Sequence, residues 1–315
     1  MATLAGALVA TRVHAQQPRR VHVVGWLSSE PEPDQFLEGF REGMRRYGYV
    51  EGQNLAIVSR FGTGDPGSLA GKVEDVTQAK PALIVARGTA VRALRAEREI
   101  PILFALSGDP ISAGLASSFA RPGRNFTGTM FMSLDVAAKR VDLLKQAVPK
   151  LRNLVVFSNL DHPGEPEERQ ATLAAATTLG LTVTPVLWTG ARELDGALAA
   201  VRDARGDAMI VFPEGVTIVN REKIVQFATG QRLPTMFGWS EYCDAGGLMS
   251  YGANQREAYV NLATYADRVL RGSKPGDLPI DRPTRFELVL NLKTARALGL
   301  MLPQSLLLAA ARVIE

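Results

Sequence analysis

Apolar, β-rich runs alternate with amphipathic helical segments along almost the whole chain, and this alternation restricts the possible folds more than any other feature. The candidate strands in the first half are Val21 to Leu27, Leu55 to Arg60, Ala82 to Ala86 and Ile100 to Leu106. Those in the second are Asn153 to Ser158, Thr182 to Leu187, Ala208 to Phe212, Thr235 to Gly238 and Leu248 to Tyr251. Several are nearly continuous apolar runs, as a parallel sheet covered on both faces requires. Between them, Phe36, Leu37, Phe40, Met44 and Tyr47 recur at helical spacing, with Gly48 as a C-cap. Asn254 and Glu257 form a capping-box pattern ahead of Ala258, Leu262, Tyr265, Ala266 and Val269. Such alternation predicts right-handed βαβ units, hence an α/β fold of doubly wound parallel sheets.

Two such sheets are expected, one before and one after residue 128. A chain of 315 residues, 46% of them apolar, is long enough to bury two cores. Asn125 to Met132 reads as an extended connection between the lobes. The prolines between Lys274 and Pro283 exclude a regular helix there. The expected lobes are residues 18–128 with 253–283, and residues 129–252 with 284–315.

The stretch from Ser107 to Gly128, SGDPISAGLASSFARPGRNFTG, follows a buried-strand run and stops it on small and polar residues. Loops at the carboxyl ends of strands are where open α/β sheets bind ligands. The stretch resembles the D-P-[IV]-x-x-G-L and A-R-P-G-x-N-x-T-G pattern of the extracytoplasmic solute-binding proteins of ABC transporters, in the branch that includes tryptophan- and tyrosine-type components. Phe40 to Asn54 (FREGMRRYGYVEGQN), Ala245 to Gly252 (AGGLMSYG) and Leu270 to Leu298 resemble three more blocks of that family, in the same order. The resemblance covers nearly all of the chain after the leader. It implies a type I periplasmic-binding-protein architecture: two lobes on a multi-strand hinge, with further crossings near Ser250 to Ala253 and near Lys274 to Pro283, closing around a small molecule to capture it rather than to transform it. The implied ligand is an amino acid or another carboxylate, the implied partner an ABC permease, and no cofactor is implied.

Strand ends then nominate site residues. In the first lobe these are Ser28 and Ser29, Thr89, and Ser107 with Asp109. Hydroxyls and free amides at helix starts suit a carboxylate, and Thr89 and Ser107 are the first choice for it. Ser29, Thr89 and Ser107 could equally cap helices, and Asp109, held extended before Pro110, could cap the next one. In the second lobe the strand ends offer Asn159, Asp161, Glu214, Phe237 and Trp239. Glu214 is nominated to pair with a ligand ammonium, with simple solvation as its alternative. Trp26, Phe237, Trp239 and Tyr251 could wall an aromatic ligand, or pack in the core.

Other functions find little support. The histidines His14, His22 and His162 are scattered, without metal-ligand spacing. There is no G-x-S-x-G elbow and no Walker-type loop. The balance of 36 basic to 32 acidic residues contains no charged block, so no nucleic-acid surface is inferred. Cys243, alone in the chain, is expected as a buried thiol. Residues 1–15, MATLAGALVATRVHA, read as a signal peptide cut before Gln16, which places the chain in a bacterial periplasm, where a monomer is expected. A sensor subunit for a membrane receptor, or an enzyme on the same scaffold, is the remaining alternative.

Overall fold

The central strands of the two sheets are those whose side chains vanish from solvent on both faces. In the computed structural model, which describes residues 21–32, 34–63, 66–131, 134–162 and 164–315, the leader expected at 1–15 lies outside the described residues. The first sheet holds β1 (His22–Ser28), β2 (Leu55–Phe61), β3 (Leu83–Arg87), β4 (Ile102–Leu106) and β5 (Phe126–Met130), all parallel, in the order β2-β1-β3-β4-β5. Every residue of β3 and β4 is buried. Its helices are α1 (Gln35–Arg46), α2 (Ala70–Gln78) and the single turn α3 (Ala90–Ala93).

The second sheet runs in the order β12-β11-β10-β9-β8-β6-β7. Its strands are β6 (Asn153–Asn159), β7 (Thr182–Trp188), β8 (Ala208–Val211), β9 (Thr235–Phe237), β10 (Met249–Gly252), β11 (Glu287–Asn291) and β12 (Arg312–Ile314). All neighbours are parallel except β10 and β11. β7 is an edge strand, which is why it tolerates Pro185 and exposes most of its length. The helices of this half are α4 (Leu134–Ala147), α5 (Glu165–Thr178), α6 (Leu194–Asp203), α7 (Gly215–Val219), α8 (Arg221–Gly230) and α9 (Glu241–Asp244). They are followed by α10 (Gln255–Leu270), α11 (Leu292–Leu298) and α12 (Gln304–Ala309).

α10 follows β10 in the chain but packs on α1, across the boundary between the sheets. Tyr49 Oη donates to Asp267, and Arg256 pairs with Glu42. Trp26, Phe36 and Tyr259 pack there in the core with tilted rings. Asn254 starts α10, its side chain accepting from the Glu257 amide. The chain therefore passes between the sheets after β5, after β10, and again before β11.

The segment read as an extended connection, Asn125 to Met132, is extended and is also a member of the first sheet, with Met132 itself outside the described residues. Most of it is β5, a full strand whose Phe126 and Thr127 are buried. Its outer edge is covered: Thr127 Oγ1 donates to the Leu278 carbonyl, and Met130 and Asp281 bond through their backbones. A covered edge is protected against pairing with other chains.

Cys243 is buried, with Sγ donating to the Val289 carbonyl. Burial pushes its thiol up to about 12. The thiolate is the reactive form, so the native protein should give no reaction with a thiol reagent at pH 8, and one equivalent per chain after unfolding in denaturant. Rapid native labelling would contradict this burial.

Candidate functional site

The carboxyl ends of strands from both sheets converge on one cavity between the lobes. From the first sheet come Glu30 after β1, Arg87 to Thr89 at the end of β3, and Ala105 to Ser107 at the end of β4. From the second come Asp161 and His162 after β6, Glu214 and Gly215 after β8, and Trp239 after β9. Phe131, following β5, and Gln255 and Tyr259 of α10 close the wall nearest the crossings.

The lobes are drawn together here. Ser107 Oγ lies 3.5 Å from His162 Nδ1 across the gap. Glu30 presses on Gly215 so closely that a Cβ at 215 would stand 2.1 Å from its Oε1. The free space left is about 30 Å³, room for water alone, so anything larger enters only when the lobes part. Past Glu30 and Arg87 the gap widens into an outer cleft of about 590 Å³, flanked by Phe36, Phe61, Ile218 and Arg221.

Two buried charge clusters frame the cavity. Arg87 Nη1 donates to Glu30 Oε2 at 2.7 Å, lies 3.9 Å from Asp34, and rests over the Phe36 ring. Burial opposes the Arg87 charge, but its acidic neighbours, Glu30 foremost, outweigh that and raise its pKa. On the other side Arg140 Nη1 donates to Glu168 Oε1 at 2.5 Å, and its Nε to the Tyr251 carbonyl. Glu168 Oε2 is 3.1 Å from His162 Nε2. With that carboxylate accepting, Nε2 donates, which turns Nδ1 toward Ser107. Burial lowers the Arg140 pKa despite Glu168.

The structure divides the nominated residues into three groups. Thr89, Ser107, Asp161, Glu214 and Trp239 line the cavity. Ser28, Ser29 and Asn159 stand behind it as supports: Ser28 Oγ donates to Glu30, Ser29 Oγ accepts from the Thr89 amide, and Asn159 bonds both Glu214 and the Asp161 amide. Trp26, Asp109, Phe237 and Tyr251 lie elsewhere. Trp26 is wholly buried, packed on Phe40 and Tyr259 with Nε1 donating to Asp34. Asp109 accepts from the Ile111 amide and closes a turn. Phe237 stacks on Tyr242 in the core, and Tyr251 packs against Phe286.

Glu214 has a second task. Its carboxylate caps α7, accepting from the amides of Val216 and Thr217 and from Asn159 Nδ2. Burial raises its pKa, with the Val216 amide the strongest opposing influence. Among the wall residues that the sequence reading missed, Arg87 had a signal, a charge closing the apolar run Leu-Ile-Val-Ala. Glu30 and His162 adjoin nominated residues. Gln255 and Tyr259 gave none, because nothing local says that α10 reaches this cleft.

A family model described as ABC transporter substrate binding protein matches residues 21–314. The chain belongs to this family. As a substrate-binding component of an ABC transporter, it captures a small molecule between its lobes and serves a permease. One relative is a tyrosine-binding protein of Clostridioides difficile (strain R20291), 23% identical over 280 residues, which cover 88% of this chain and 80% of that protein. Among solved structures, an ABC domain in complex with L-Trp from Streptococcus pneumonia superposes with a TM-score of 0.87 at 24% identity, covering 93% of this chain and 100% of that one. The ligand-free, open structure of a substrate binding protein with adhesive properties from Clostridium difficile gives 0.67 at 23% identity, covering 93% and 99%. No helix among the described residues is long and apolar enough to cross a membrane.

Proposed function

We propose that this protein is a monomeric periplasmic receptor for an amino acid or a related carboxylate, which it delivers to its permease without chemical change. One observation carries the reading. The cleft sets hydroxyls from one sheet, Thr89 and Ser107, against an acidic and aromatic wall from the other, Asp161, Glu214 and Trp239. A zwitterion with an apolar side chain offers the complement: carboxylate to the hydroxyls, ammonium to the acids, side chain to the ring. The tyrosine-binding relative and the L-Trp complex support an aromatic amino acid. The lobes that close on it are taken as residues 18–128 with 253–283, and 129–252 with 284–315.

The test is calorimetry on protein refolded from denaturant, with L-tyrosine, L-tryptophan, other carboxylates and sugars as probes. Binding to the native state alone also raises the melting temperature, by the equivalent of about 2.7 kcal/mol at a hundredfold excess over Kd. Ser107→Ala should weaken the bound amino acid about tenfold, the loss of roughly 1.4 kcal/mol. Asp161→Asn should weaken L-tyrosine while leaving 3-(4-hydroxyphenyl)propionate, which lacks the ammonium, unchanged. Affinity for sugars alone would refute the amino-acid reading.

A further inference from the structure

Two polar atoms in the cleft wall have no hydrogen-bond partner, Gln255 Nε2 and Thr89 Oγ1. Gln255 is only 3% exposed, so solvent does not satisfy its amide. Folded proteins rarely leave a buried N–H without an acceptor, because the group loses its water and gains nothing. The residue stands first in α10, a helix of 16 residues. The side chain of its N-cap, Asn254, is engaged by the Glu257 amide and does not reach Gln255. The free amides of that first turn carry partial positive charge. Helix and side chain therefore both ask for an acceptor, and the helix end favours one bearing negative charge. The nearby protein carboxylates are not it: Glu30 is paired with Arg87, and Glu214 caps α7.

We propose that Gln255 Nε2, together with Thr89 Oγ1, holds the ligand carboxylate, and that Gln255 sets the preference of the cleft for acids. This rests on the reading that the ligand is an amino acid or related carboxylate. It adds a contact that belongs to neither set of strand ends. α10 begins where the chain has just crossed from β10, so the ligand is gripped at the hinge as well as by the lobes.

The experiment pairs calorimetry with crystallography of the full chain. L-Tyrosine, 3-(4-hydroxyphenyl)propionate and tyramine are titrated into wild type, Gln255→Glu and Thr89→Val, with ligand-free melts to establish that each variant is folded. Gln255→Glu sets one carboxylate against another. It should weaken both acids at least tenfold and leave tyramine, which has no carboxylate, within twofold. Thr89→Val should show the same pattern, less strongly. Unchanged affinity for the acids, or an equal loss for all three probes, overturns the proposal. If wild type binds none of the three, the amino-acid reading fails separately, and crystals of the purified protein still decide the subsite. A ligand oxygen within about 3.2 Å of Nε2 supports it, and a water or an apolar group there overturns it.

Discussion

Glu168→Gln should destabilise this protein by about 3–5 kcal/mol, the usual loss when a buried ion pair keeps one charge and loses the other. The side chains of Arg140 and Glu168 are 7% and 3% exposed, so water cannot replace the missing carboxylate. Glutamine keeps the volume and one acceptor but leaves the guanidinium uncompensated. The same change removes the anion that holds His162 Nε2–H, and so frees the ring that meets Ser107 across the cleft. Urea unfolding at neutral pH reads the effect directly. Adding Arg140→Met should recover part of the loss, because the buried charge then goes with its partner. A loss below about 1 kcal/mol would place the pair among surface-like salt bridges and contradict its burial.

Gly128→Ala should be about as damaging, at roughly 4 kcal/mol, in the range reserved for backbone strain and core disruption. Gly128 sits in the middle of β5 with φ of +149°, and a Cβ there would meet the Phe104 carbonyl oxygen at 2.0 Å. The strand cannot shift without losing its register on β4, and the Asp281 amide bonds to the Gly128 carbonyl. A fall in the melting temperature of ten degrees or more is expected. Gly196→Ala is the control. Gly196 lies inside α6 with open space around its Cα, so alanine should stabilise by about 0.5–1 kcal/mol. Equal behaviour of the two variants would mean that the β4–β5 contact is not rigid.

The same glycine explains why β5 was hard to read. Phe-Thr-Gly-Thr-Met has a helix- and strand-weakening residue at its centre, so local propensity argues for a link. What makes it a strand is its pairing with β4 and the cover from Leu278 to Asp281, both distant in the chain. β3 and β4 were legible because continuous burial leaves no polar residue to interrupt the run. β12, three residues of which Arg312 is exposed and Val313 and Ile314 are half-buried, carries no such pattern.

In the cleft, a residue was legible when strand ends alone determine its position, as for Thr89, Ser107, Asp161, Glu214 and Trp239. Trp26 and Phe237 failed for a geometric reason. Both lie within strands, where alternate side chains turn into the core, and large rings are needed there beneath α10 and α9. Gln255 and Tyr259 were invisible because their place depends on which lobe α10 joins. That choice is made by its packing on α1, not by any local pattern.

The return of α10 to the first lobe also governs how the polypeptide acquires its structure in time. Tyr49 and Asp267, hydrogen-bonded in the finished molecule, are 218 residues apart in sequence. Contacts of such long range must close very large loops before they contribute, which slows folding and raises contact order. A nascent chain with 240 residues synthesised has neither lobe complete: the first still lacks α10, the second β10, β11 and β12. Consolidation is postponed until synthesis is nearly finished.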